Sequence, residues 1–255
     1  GWTTFVDDLD YDAKGQREKI VYGNGVVTEY SYDPLTFRLK RLKTTRTSDN
    51  ALLQDLRYTY DPVGNIVEIA DLAQGDLYHD NQLVEPVWKY EYDAIYRLIE
   101  ATGREHSGQN SDIQQDENGF PLVNGSNPND PQAMRNYAES YEYDAVANIL
   151  TMSHAAQSAT GNWTRRYDVA TTSNRLLGTS LPGDSAGQYS ATYPYDAHGS
   201  MTAMPHLDEI AWDFKDQMRW VDKGGGGEVF FTYDAGGQRV RKVWEHSGIV
   251  EERIY

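Results

Sequence analysis

Apolar and polar positions alternate with a period of two through much of this chain, in short runs that end at clusters of turn-forming residues. Residues 58–69 show the unit most clearly. Tyr58 and Tyr60 alternate with polar neighbours, Asp61-Pro62-Val63-Gly64-Asn65 supplies a turn, and Ile66, Val67 and Ile69 resume a β-rich run. An Asp carboxylate can accept from the backbone two residues on, Pro presets φ, and Gly takes a positive φ without steric conflict. Two half-strands around such a loop predict a hairpin.

The unit recurs along the whole chain. It reads as Tyr11-Asp12 with Gly15, Tyr32-Asp33, Tyr60-Asp61 with Gly64, Tyr92-Asp93, Tyr143-Asp144, Tyr167-Asp168, Tyr195-Asp196 with Gly199, and Tyr233-Asp234 with Gly237. The intervals between the aspartates are 21, 28, 32, 51, 24, 28 and 38 residues. Asp213, in Trp212-Asp213-Phe214-Lys215, reads as a degenerate copy that divides the last interval into 17 and 21. Most of these fall in the window of roughly 20 to 50 residues that marks a repeat array. The expected fold is therefore all-β, built of antiparallel hairpin repeats. Asn24-Gly25 between β-formers adds a further hairpin signal. Helical signal is weak, and Asn50-Ala51-Leu52-Leu53-Gln54 is its best short candidate. Gly224–Gly227 neither opens a helix nor precedes Lys-Ser/Thr, so it reads as a loop between strands and not as a phosphate cradle.

Two stretches break the pattern. Residues 106–136, with Asn118-Gly119 and Asn124-Gly125-Ser126-Asn127-Pro128, read as a polar insertion loop, and Leu181–Gly187 as a second, shorter one. The insertion is rich in Asp and Asn but lacks the residue order of a calcium loop. The basic run Phe37–Arg46 stands out in an acidic protein. It is either a contact for acidic cargo or an acidic neighbouring repeat, or a solvated strand face that discourages edge pairing.

Composition sharpens this picture. In 255 residues there are 19 Tyr and 6 Trp, so aromatic rings carry much of the apolar area. The net charge of −16 argues against a nucleic-acid partner, whose phosphates need a basic face. There is no cysteine, hence no disulfide framework or thiolate chemistry. No apolar run approaches the roughly 18 residues of a membrane span. The chain opens on Gly1-Trp2 and stops at Tyr255 inside an apparent strand, and it reads as part of a longer polypeptide, a single repeat region over 1–255. Candidate chemistry is thin. The repeated aspartates sit where turns want them, the six histidines show no metal-ligand spacing, and no serine lies in a nucleophile elbow. No catalytic, cofactor-binding or metal residues are expected, and no cofactor.

Tyr58 to Ile66 and Thr232 to Val240 follow the sentence Y-x-Y-D-x-x-G-x-Φ closely. In this the chain resembles the YD-repeat, or Rhs-repeat, proteins. Residues 92–105 and 233–245 look like the Rhs core of the C component of bacterial insecticidal Tc toxin complexes. The resemblance implies a hairpin ribbon that spirals into a hollow shell around a toxic C-terminal domain, with no enzymatic role for this segment. It implies as partners the remainder of the same polypeptide, that enclosed toxin and a Tc-type B component. It also implies a secreted or cell-surface-delivered toxin component, with the family's aspartate-dependent self-cleavage motif lying beyond Tyr255. The alternative is a surface module binding carbohydrate or a partner cell, with Trp88 and Trp163 as its test positions.

Overall fold

The computed structural model describes residues 3–108, 130, 132–157, 161–181 and 183–255. The described residues fall into two compact units. One takes those of 1–112, 121–142 and 152–163, the other those of 143–151 and 164–255.

The first unit is built from β1 (Val6–Tyr11), β2 (Arg17–Tyr22), β3 (Val26–Tyr32), β4 (Leu39–Arg46), β5 (Ala51–Tyr60), β6 (Ile66–Asp71), β7 (Leu77–His79), β8 (Gln82–Val84), β9 (Val87–Tyr92), β10 (Leu98–His106), β11 (Met134–Tyr143) as far as residue 142, and β12 (Ile149–Ala156) from residue 152. Hydrogen-bonded neighbours follow the order β1-β2-β3-β4-β5-β6-β9-β10-β11-β12, while β7 and β8 form a hairpin of their own. The second unit holds β13 (Trp163–Val169) from residue 164, β14 (Leu176–Thr179) and β15 (Ala191–Thr192), then a meander of β16 (Glu209–Trp212), β17 (Met218–Asp222), β18 (Glu228–Tyr233), β19 (Arg239–His246) and β20 (Ile249–Ile254). The glycine run forms one 3-10 turn, Gly224–Gly226, between β17 and β18.

Register assigns the two faces of the first unit opposite characters. Tyr30 pairs with Leu42, Leu42 with Leu56, Tyr58 with Ile69, Ile69 with Trp88 and Tyr90 with Ala101, so these lie on one face. Lys19, Glu29, Lys43 and Asp55 form a paired row on the other. This is the period-two pattern of the sequence made spatial. The second unit gathers a small core of Ile210, Val221 and Val229, against which Trp212, Met218, Phe231 and Trp244 pack.

Two expectations change, and a third is decided. Asn50 adopts φ 56° at a tight turn and residues 51–60 continue as β5, paired with β4, so the helical candidate is a strand. Local helix propensity loses to a ladder of cross-strand hydrogen bonds. The insertion is narrower than 106–136: His106 pairs with Met134, and Ser107 N donates to Ala133 O at 2.7 Å. Residues 109–129, including the Asp/Asn cluster, lie outside the described residues. The basic run meets acidic residues of adjoining strands, in line with the reading of an acidic neighbouring repeat: Arg41 bonds Asp55 at 2.6 and 2.7 Å and Lys43 stands 3.9 Å from Glu29, while Arg46 bonds Asp49 in the following turn at 2.6 Å.

Candidate functional site

The recurring chemistry of this chain sits at its turns. Oδ1 of Asp12 accepts from Lys14 N and Gln16 N, both at 2.8 Å, while Gly15 N donates back to Asp12 O. Asp61 takes Gly64 N and Asn65 N at 2.7 and 2.9 Å, Asp93 takes Ile95 N and Arg97 N, and Asp144 takes Val146 N and Asn148 N. Asp196 takes His198 N and Ser200 N, Asp213 takes Lys215 N and Gln217 N, and Asp234 takes Gln238 N. Asp33 closes a turn one residue longer through Leu35 N and Thr36 N. Backbone donors favour the ionised form, and several of these carboxyls lie below the usual Asp range. At Asp33 the Thr36 amide leads that effect, at Asp93 the Arg97 amide, and at Asp196 the Ser200 amide. At Asp61 burial pushes upward, but the Asn65 side chain and the Gly64 and Asn65 amides outweigh it.

In five copies the tyrosine before the Asp ties its turn to the one before. Tyr32 OH donates to Arg17 O, Tyr60 OH to Leu39 O, Tyr92 OH to Ile66 O and Tyr233 OH to Met218 O, each at 2.8 Å, and Tyr195 OH donates to Leu176 O at 2.9 Å. Every acceptor is the first residue of the strand that leaves the preceding turn. Trp212, standing where a tyrosine stands elsewhere, makes the same link from Nε1 to Met201 O at 2.7 Å. This establishes the Trp212-Asp213 turn as a genuine copy. Tyr11, in the first hairpin, is 53% exposed.

One expected turn lies elsewhere. Tyr167 and Asp168 are inside β13, Tyr167 opposite Thr179 and Asp168 opposite Gly178, with the register shift falling between Asp168 and Val169. In the 58–69 hairpin the same shift falls between Thr59 and Tyr60. Asp168 thus corresponds to Thr59, and the turn position belongs to Ala170, whose N–H meets Arg175 O and whose C=O takes Ser173 N. Dipeptide matching picked the outer tyrosine of Y-x-Y-D; the corrected intervals on either side are 26 residues each.

A second constellation escaped the sequence reading. Glu105, Arg135 and His154 are buried, at 7%, 1% and 7% exposure, on the aromatic face. Arg135 Nε donates to Glu105 Oε1 at 2.7 Å, and the His154 ring nitrogens stand 3.2 Å from Glu105 Oε2 and from Glu139 Oε1. The ring also stacks between Tyr137 and Trp163, with centroids 5.2 and 5.4 Å away. Burial alone would lower the His154 pKa, yet the two carboxylates raise it from 6.5 to about 9. Glu139 is drawn below its ordinary value chiefly by its bond to His154. Arg135 falls within the stretch whose composition reads as polar insertion. The parity of Glu105 with Ala101 and Gly103 on β10 was the available signal that it points inward.

Trp163 is thus engaged with His154, and Trp88 covers Gly103 so closely that a Cβ there would lie 2.3 Å from its ring. Among the described residues, no group of three His, Cys, Asp or Glu is placed to hold a metal ion, and no helix is long and apolar enough to cross a membrane.

No family profile matches the chain. It is 34% identical over 263 residues to toxin subunit YenC2 of Yersinia entomophaga, aligning 97% of this chain with 26% of that protein. It superposes on a structure of the Photorhabdus luminescens Tc holotoxin pore carrying a TccC3 mutation with a TM-score of 0.77 at 33% identity, covering 99% of this chain and 12% of that one. The chain resembles the Rhs-repeat proteins. On a crystal structure of TcdB2-TccC3 it superposes with a TM-score of 0.76 at 32% identity, over 98% of this chain and 12% of that one. The resemblance to the Rhs core of Tc toxin C components stands, and so does the all-β antiparallel fold. The chain spans about a quarter of the length of the curated relative it matches.

Proposed function

We propose that this chain is a stretch of the wall of an Rhs shell, which encloses a toxic C-terminal domain of its own polypeptide and helps to deliver it. The observation that carries the reading is the tyrosine link, which ties five hairpin turns to their predecessors and occurs in both compact units. A ladder of that kind extends in register and leaves unpaired backbone only at its ends, as a continuous wall requires. On this reading the remainder of the polypeptide and a Tc-type B component are the partners, the site of action is outside the producing cell, and the segment itself turns over no substrate. The structural relatives include a TcdB2-TccC3 complex, which supports the B-type partner.

Limited proteolysis of the whole polypeptide that contains this segment tests the reading. Its C-terminal domain should survive a protease concentration that digests the same domain expressed free. Equal digestion in the two settings would overturn containment.

A further inference from the structure

Between β6 and β9, which are neighbours in the sheet, the chain makes a detour through residues 72–86. Other connections between neighbouring strands are far shorter, such as residues 23–25 and 47–50. The detour is the β7–β8 hairpin, closed by Asp80 and Asn81 at φ of 48° and 61°. Its root is set by Asp71, whose Oδ1 accepts from Asp55 N at 2.9 Å and from Ala73 N at 3.0 Å, while Asp71 N donates to Pro86 O at 2.9 Å. Its far end is fastened by residues that lie 53 and 78 positions away in the chain. Asn136 Nδ2 donates to Leu83 O at 2.9 Å, and Gln157 Nε2 donates to His79 O at 3.0 Å. Gln157, directly after β12, also grips β11: its Oε1 accepts from Asn136 N at 2.9 Å, and its own N–H meets Asn136 O at 2.8 Å.

The two faces of this hairpin differ. Val84 is fully buried, whereas Tyr78 and Leu83, register partners on the other face, are exposed at 77% and 40%. On the sheet side, Arg104 of β10 reaches Gly75 O at 3.4 Å, and Asn136 of β11 holds Leu83 O. Arg104 and Asn136 are themselves register partners, so the hairpin crosses β10 and β11 on the face opposite Glu105 and Arg135. That pair of strands has a particular need. Residues 107–133 join β10 to β11, the longest connection between hydrogen-bonded neighbours among the described strands. The entropy of bringing two ends together grows with the length of chain between them, and a tight turn removes most of it.

We propose that the β7–β8 hairpin is a strap that holds β10 against β11 at the end where 27 residues of chain, 107–133, separate them. Rooted between β6 and β9 and buckled to β11 and β12, it spans the pair from outside. Its fastened carbonyls, Leu83 O and His79 O, supply the constraint that a short turn supplies elsewhere in the sheet. The buckle stands close to the mouth, since Asn136 lies three positions beyond Ala133, whose carbonyl takes the Ser107 amide at 2.7 Å. Gln157 is the residue on which the three parts meet, hairpin, β11 and the end of β12. The strap belongs to the fold of this chain, so it stands or falls separately from containment.

Hydrogen exchange at the Ser107 amide of the full chain provides the test. Asn136→Ala combined with Gln157→Ala unbuckles the strap and should lower protection of that amide by about tenfold. The Asp61 amide, bonded to Asn65 O in a distant turn, should keep its protection and so report that the fold is intact. The same two substitutions are then made in a chain whose residues 109–129 are replaced by Asn-Gly, a sequence suited to a tight hairpin turn. There the covalent turn does the work of the strap, and Ser107 should lose less than about twofold. An equal loss in the two chains overturns the proposal, and so does no loss with the native connection. Tyr78→Ala, on the outward face, should leave Ser107 unchanged; a loss matching that of the unbuckled chain would show the hairpin acting other than through its fastening, and would count equally against it.

Discussion

Asp61 and Tyr60 act on opposite sides of one peptide. The carboxylate gathers the amides of its own turn while the phenol reaches back to the strand before. Tyr60→Phe removes one half-buried hydrogen bond and strands the Leu39 carbonyl, and is expected to destabilise the chain by about 1 kcal/mol in urea unfolding. Asp61→Ala should lower the melting temperature, whereas Asp168→Ala should leave it nearly unchanged, since Asp168 receives no turn amide. The turn chemistry was legible from sequence because it is local, spanning four residues. The tyrosine link was not, because its acceptor lies 15 to 26 residues upstream and is a backbone carbonyl, which every residue possesses.

At the scale of the hairpin, register decides what dipeptides cannot. The Tyr167-Asp168 match looked complete, yet the shift between Asp168 and Val169 hands the turn to Ala170. Ala170→Asp would place a carboxylate where Asp33 has one, in a turn of the same length, and should raise the melting temperature. The strand at 51–60 teaches a related lesson. Its first residues suit a helix, but the ladder to β4 and the Arg41–Asp55 pair are contributions from elsewhere in the chain. The charged cluster was hidden for the same reason, since Glu105, Arg135 and His154 come from three different strands. Arg135→Ala leaves Glu105 buried beside His154 alone among its charged partners, and should destabilise the fold by about 3–5 kcal/mol, read from denaturant midpoints.

Two sets of ionisable groups bound the pH range of the whole molecule. The turn carboxyls of Asp33, Asp61, Asp93 and Asp196 are depressed from 3.8, so their stabilisation is present above that value and fades as pH falls through the folded values. His154 is raised from 6.5 to about 9, so its contribution is complete below 6.5 and disappears as pH climbs through 9. Thermal melting across pH should therefore show a plateau with an acid limb and an alkaline limb. His154→Gln should flatten the alkaline limb and leave the acid one in place, and an unchanged alkaline limb would exclude the ring as its source.

The strands that carry Glu105 and Arg135 also mark where the ladder closes, at the bond from Ser107 to Ala133. Chain that departs and rejoins at touching points adds nothing to the spacing of the sheet it leaves. Genetic drift can lengthen, shorten or rewrite such a segment with little penalty to the scaffold, and an experimenter can borrow the same freedom. A fluorophore tag or protease site grafted between these two residues would report on the assembly from a site its architecture already tolerates.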